Sequence, residues 1–332
     1  MDQDLKTVLL KTRLCKYLDS NELDVLLAYS KVVEFHDAAF ILQQGKINDG
    51  VYVIISGRAV IKAKVIGAGV IQLSVVESGD FIGDISLLEN PINSVSVVSQ
   101  TTTHCIFIPG AYFRTLVLFS PETKFKIDRA VAEDILFRLR SQHEKITAFM
   151  AEAHMTSSSV FGEVIHSLVR PKEITLKEAG VTEENLRKLD FFEGLSDADF
   201  LLVLEHVELF EAGRHCTLIK EGDKDFACYV ILRGAVQSRI KESHKIAKLS
   251  VLPPISVFCS MTIIDNSASI IDYTTCERLL FFKISEANLA KIKESHIDVW
   301  YYLYDAICKS FAKLEQAANK LDIRLNSEIY NR

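Results

Sequence analysis

The absences come first. The chain has no C-x-x-C pair, and its seven cysteines (Cys15, Cys105, Cys216, Cys228, Cys259, Cys276, Cys308) are odd in number and scattered. That excludes a disulfide framework and a zinc ribbon, and it predicts reduced thiols in a reducing compartment. With 48% apolar and 25% charged residues, the composition leaves little room for extended disorder. The charged start, Met1-Asp2-Gln3-Asp4, has no apolar core and predicts no signal peptide. A membrane helix needs about 20 mostly apolar residues. The uncharged stretch 90–113 is instead crowded with Ser, Thr, Asn and Gln. A net charge of −6 with no basic arm argues against nucleic acid as a partner. No G-x-S-x-G, Walker loop or H-E-x-x-H occurs. An enzyme is disfavoured, and no catalytic residue, metal or cofactor is assigned. The expected location is cytoplasmic.

What is present is a repeat. Val32-Val33, Phe40-Ile41-Leu42 and Val51 to Ile55 are short β-branched and aromatic runs, punctuated by Gly45, Gly50 and Gly57. Val60–Val65 and Val70–Val76 flank Ile66-Gly67-Ala68-Gly69, which reads as a hairpin loop. The pattern then returns: Leu18, Gly45, Tyr52 and Gly57 find Leu195, Gly222, Tyr229 and Gly234 at an offset of 177. After a hairpin one residue shorter, Ile82 to Asn90 matches Phe258 to Asn266 at an offset of 176. Short strands with little helix between them predict an α+β, mainly β fold: two jelly-roll-like β-rolls, each flanked by helices, with a helical connector. The expected boundaries are 1–150, 151–189 and 190–332.

Helical segments are expected at 11–35, with Asp19-Ser20-Asn21-Glu22 as its start signal, and from Tyr112 to about Met155, with Ser120-Pro121-Glu122 in the same role. Ala132, Leu136, Leu139, His143, Ile146 and Met150 recur at spacings of four and three. So do Trp300, Tyr304, Ile307, Phe311, Leu314 and Leu321, with one gap at Ala318. Such seams pack against a helix of the same chain or of a second copy. Thr156 to Ser159 reads as a break, and Phe161-Gly162-Glu163 as an incidental helical triplet. His104-Cys105 and His215-Cys216 are ordinary packed residues, because no second pair stands at a metal spacing.

The Gly-strand-Gly skeleton, Ile41-Leu42-x-x-Gly45 to Ser56-Gly57 and Leu218-Ile219-x-x-Gly222-Asp223 to Arg233-Gly234, resembles the cyclic nucleotide-binding domain family. Ile82 to Leu88 resembles its ligand cassette. The resemblance covers about 11–150 and 190–325. It implies a cassette of the form F-G-E-L-A-L-L followed by P-R-A-A-T-V. In such a cassette, backbone N–H groups and an Arg bind the cyclic phosphate, and the Glu accepts from a ribose hydroxyl.

Both copies depart from that form. In the first, Gly83 is kept, Asp84 stands for Glu, Ile85 follows, Ser86 replaces Ala, and Asn93-Ser94 stand at the Arg position. In the second, the positions read Cys259, Ser260 and Thr262, with Ser267, Ala268 and Ser269 in the Arg region. No Lys or Arg occurs from Val65 to Phe113 or from Leu249 to Glu277. Losing the partner of a buried phosphate costs about 2–5 kcal/mol. That is a loss of roughly 30-fold to several-thousand-fold in affinity. A cation brought from a distant strand, a helix or another subunit is the remedy left.

The expectation is a non-catalytic regulatory or adaptor protein acting on protein partners, with cyclic nucleotide disfavoured as a ligand. Homodimerisation through helices 122–150 or 297–321 is one form of such contact. The alternative is a sensor binding cyclic AMP, cyclic GMP or a nucleoside at Gly83, Asp84, Ile85, Ser86, Asn93 and Ser94. The second pocket (Cys259, Ser260, Thr262, Ser267) is expected to be inactive. A DNA-binding regulator is disfavoured, because a second roll stands where a helix-turn-helix would follow.

Overall fold

The structure is a computed structural model that describes residues 2–65, 69–88, 92–152, 170–243 and 245–330. The break at 156–159, the triplet at 161–163 and most of the hairpin loop at 66–69 lie outside the described residues. The architecture is α+β, in two compact units: residues 1–138 with 319–332, and residues 139–318.

In the first unit, helices Asp2–Leu10 and Ser20–Tyr29 precede the roll. The second helix starts where the sequence says. Asp19 accepts from Asn21 N and Glu22 N, and Glu22 accepts from Asp19 N at 2.8 Å, closing a capping box. The expected helix over 11–35 is corrected: residues 11–19 form turns, only Ser20–Tyr29 is helix, and Lys31–Phe35 is strand. Ser30 N–H and Oγ–H donate to Leu27 O and Leu26 O, closing the helix at Tyr29. The β-branched pair Val32-Val33 then finds Ile106 and Cys105 across a sheet.

The first-unit strands are β1 (Lys31–Phe35), β2 (Phe40–Leu42), β3 (Gly50–Ser56), β4 (Arg58–Val65), β5 (Gly69–Glu77), β6 (Phe81–Ile82), β7 (Ser96–Ser99) and β8 (Thr103–Pro109). They form two antiparallel sheets, in the orders β1-β8-β3-β6 and β2-β7-β4-β5. Ile41, Leu42, Ile54, Ala59, Val76, Ile82, Val97 and Cys105 form a buried cluster contributed by both sheets.

The second unit has β9 (Lys172–Glu173), β10 (Glu208–Ala212), β11 (Thr217–Ile219), β12 (Cys228–Arg233), β13 (Val236–Glu242), β14 (Lys245–Leu252), β15 (Val257–Cys259), β16 (Asp272–Thr275) and β17 (Leu279–Ile284). Its sheets run β15-β12-β17-β10-β9 and β11-β16-β13-β14. Strand for strand, this is the order of the first roll, with β9 added at an edge. The repeat extends to a turn that needs glycine. Gly57 and Gly234 both have φ near +93°, and a Cβ on either sits 2.5 Å from a carbonyl oxygen, of Thr102 or Arg278.

The core of the second roll is aromatic. Tyr229 stacks on Phe258 and Phe258 on Tyr273, each at 5.0 Å between centroids. Burying a phenylalanine such as Phe258 contributes about 1.5–3 kcal/mol.

Two long helices, Pro121–Glu152 and Ile297–Tyr330, follow the rolls. Their seams lie inside the chain. Ala132, Leu136, Leu139, Ile146 and Met150 are buried, as are Trp300, Tyr304, Ile307, Phe311, Leu314, Ala318 and Leu321. No described helix is long and apolar enough to cross a membrane.

Candidate functional site

In the first roll, β6 delivers the chain to Gly83 and then to the single helical turn Ile85–Leu88. Gly83 has φ +89°, and a Cβ there meets Asn48 Nδ2 at 2.5 Å and Gly50 O at 2.7 Å. Both the conformation and the space demand glycine. Asn48 is buried, and its Nδ2 donates to Gly50 O (2.7 Å), Gly83 O (3.3 Å) and Ser86 Oγ (2.8 Å). Ser86 Oγ–H in turn donates to Gly83 O at 2.5 Å. These bonds tie Gly83 and Ser86 together at the start of the turn. Asn48, the residue that knits them, was not anticipated.

Asp84 is buried and ion-paired. Arg138, on the Pro121–Glu152 helix, reaches it with Nη2 at 2.5 Å from Oδ2, and holds Asp134 one helical turn away with Nη1. Asp134 is also paired with Arg13. Burial pushes the Asp134 carboxyl upward, the Arg138 charge pulls it down, and the nearby Asp84 adds to the rise. A cation therefore does arrive from a helix, as the chemistry requires, and it is engaged by carboxylates. The sequence signal for Arg138 was its i,i+4 spacing from Asp134; nothing local ties it to Asp84.

Asn93 is tied to neighbouring backbone. Its Nδ2 donates to Gln43 O (3.1 Å), its N–H to Lys46 O, and its carbonyl accepts from Gly45 N. These bonds bind it to the β2–β3 loop. Ile85 and Ser94 are half-buried nearby in sequence.

The second cassette closes on itself. Ser260 Oγ lies 2.9 Å from Thr262 Oγ1, which donates to Ser267 O at 2.8 Å. Ser267 donates to Asp265 Oδ1 through both N–H (3.1 Å) and Oγ–H (2.6 Å). Arg140 Nη2 then donates to Asp265 Oδ2 and to Ser267 Oγ. Cys259, which stands where the first roll has Gly83, is outside the left-handed region, so the backbone enters this turn differently. Its thiol is buried opposite Cys228 across the β12–β15 pair, and burial pushes both thiols up, that of Cys228 to about 12. They are neutral packing groups at physiological pH. Cys105 and Cys216 are buried as well, and no group of three or more His, Cys, Asp or Glu side chains suited to a metal ion occurs among the described residues.

Residues 32–118 match the sequence profile of the cyclic nucleotide-binding domain. No curated protein sequence matches the chain. Among solved structures, it is similar to the regulatory domain of Toxoplasma gondii PKA with cAMP (12% identity, 91% of this chain and 94% of that one, TM-score 0.34). It is also similar to the regulatory subunit of a cAMP-independent protein kinase A from Trypanosoma brucei (16%, 90% and 86%, TM-score 0.32). A cyclic nucleotide-binding domain from Methylobacillus flagellatus KT gives 17% identity over 47% of this chain and 87% of that one, with a TM-score of 0.42.

Proposed function

We propose that this protein is a non-catalytic regulatory adaptor, with two cyclic nucleotide-binding-type rolls serving as scaffolds for protein partners. One observation carries the reading: the polar groups of each cassette are engaged by the chain itself. Asp84 is held by Arg138, and Asp265 with Ser267 by Arg140. A cyclic phosphate entering the second cassette meets a carboxylate. One entering the first meets Asp84 and an Asn93 already bonded to a loop. Partners dock on outward faces, because the apolar seams of both long helices are buried. A homodimer built on 122–150 or 297–321 uses those outward faces too. The test is calorimetric titration with cyclic AMP and cyclic GMP. The expected result is no saturable heat; micromolar binding overturns the scaffold reading.

A second reading rests on Gly83, Asp84 and Arg138. A ligand offering hydroxyls to Asp84 and an anion to a displaced Arg138 engages both, which makes the first roll a sensor of a cyclic nucleotide or nucleoside. Asp84→Ala then abolishes any binding found in the titration. Unchanged affinity removes this reading.

A further inference from the structure

The two rolls differ at one sheet edge. In the second unit, β9 closes the sheet by pairing antiparallel with β10, Glu173 opposite Phe210 and Lys172 opposite Glu211. Ile174 N–H continues the ladder by donating to Leu209 O at 2.9 Å. In the first unit the matching strand is β1, where Val32, Val33 and Glu34 stand for Leu209, Phe210 and Glu211 at an offset of 177. β1 is the end of its sheet, and among the described residues no strand takes the place of β9 beside it. Val32, Val33 and Glu34 make no backbone hydrogen bond there outside their pairing with β8. Such open N–H and C=O groups are a template for an added strand.

The side chains carry the same difference. Leu209 is 6% exposed and Val32 49% exposed. No residue of β10 is exposed, while Lys31, Val32 and Glu34 of β1 are. Charge is left open as well. Glu211 accepts from Arg278 Nε at 2.6 Å and has Lys172 across the ladder. The Arg278 bond, with the Lys172 charge beside it, holds the Glu211 carboxyl below its ordinary range. At an offset of 176 the first roll has Thr102 in place of Arg278. Glu34 is left with two imidazoles, His36 and His104, each at 3.3 Å, and no Lys or Arg pairs with it among the described residues.

We propose that the β1 edge takes an extended segment of a protein partner as an added antiparallel strand, with a basic side chain opposite Glu34 and an aliphatic one opposite Val32. The second roll shows the form of the occupant: Lys172 fills the first role and Ile174 the second. Residues two apart share a face of a strand, so one side of the partner strand answers Glu34 and Val32 together. This names a docking edge for the adaptor reading without depending on its titration. β1 stands at the opposite edge of the sheet from β6, which leads into the cassette.

Fluorescence anisotropy with the full chain tests this, using a labelled peptide of the chain's own residues 170–176, Arg-Pro-Lys-Glu-Ile-Thr-Leu. The peptide is expected to bind saturably. Glu34→Lys, a change at an exposed position, weakens it about fivefold or more. A Lys172→Glu peptide regains on that variant what the parent peptide loses. An Ile174→Asp peptide binds the parent chain about tenfold more weakly. No saturable binding of the parent peptide, or equal binding to the parent chain and to Glu34→Lys, overturns the proposal. So does self-association in sedimentation velocity that Glu34→Lys abolishes while the peptide stays unbound, because copies of the chain then fill the edge themselves.

Discussion

Replacing Arg138 by methionine keeps the length of the side chain and removes the cation that Asp84 and Asp134 share. Their side chains are 7% and 9% exposed and that of Arg138 is 27% exposed, so the pairing is largely shielded from water. Breaking a buried pair by deleting one partner costs about 3–5 kcal/mol. The partial exposure of Arg138, with Arg13 remaining for Asp134, places the expected loss near the lower end, about 3 kcal/mol. At about 2–4 °C per kcal/mol for a unit of roughly 150 residues, such as the first unit, the midpoint of that unit falls by about 6–12 °C.

The loss has a pH signature. Asp134 is already shifted upward by burial, and Arg138 opposes that shift. Without Arg138 the folded value rises further above the unfolded one. A group with a raised folded value contributes stability that is present below its unfolded pKa and lost as pH rises through the folded pKa. The variant's deficit is therefore largest at neutral pH and narrows toward pH ~4. Adding Asp84→Asn removes one of the orphaned charges and recovers part of the midpoint. Thermal unfolding by circular dichroism at several pH values reads all of this. A midpoint within about 1 °C of the parent, with no pH dependence in the difference, refutes the reasoning.

Gly83→Ala forces a Cβ against Asn48 and Gly50 O at a positive φ. It is expected to cost about 2 kcal/mol or more in urea titration, against about 1 kcal/mol for Gly45→Ala, where space is open and only the φ opposes it. Burial lowers the His143 pKa below its ordinary 6.5. The neutral ring is thus the native form, and its contribution is full above the unfolded pKa and lost as pH falls through the folded one. Glu221, 3.8 Å away and shifted upward by burial, acts oppositely at lower pH. His143→Gln accordingly flattens the fall in thermal midpoint just below neutrality, and an unchanged slope counts against the assignment. Six of the seven thiols are buried and Cys276 is half-exposed. Ellman's reagent should therefore label one thiol rapidly in the native protein, lost in Cys276→Ser, and seven after denaturation.

The rolls were legible in the sequence because their turns are glycine-specified and repeat at a fixed offset. Gly57 and Gly234 cannot carry a Cβ, so the chain records their position twice. The boundary at Ser30 was less legible. Val32-Val33 continues an apolar run that also fits a helix, and only pairing with β8 decides for strand. The cassette contacts of Asn48 and Arg138 could not be read, because Gly83, Ser86 and Asp84 lie 35 to 54 residues away from them.

The two cassettes share a reversal of polarity. A phosphate cradle places its cation in the cassette and leaves the anion to the ligand. Here each cassette contributes a carboxylate, Asp84 or Asp265, and the Pro121–Glu152 helix contributes the cation, Arg138 or Arg140. The electrostatic need of each cassette is answered within the chain, so an incoming anion must displace a guanidinium from a carboxylate before it gains a contact. Restoring a cation at the family position, Asn93→Arg, supplies one missing charge yet breaks the bond from Asn93 to Gln43 and leaves the Asp84 pair in place. On the scaffold reading, that single substitution is expected to give no saturable heat with cyclic AMP in calorimetric titration, and micromolar binding by Asn93→Arg refutes it.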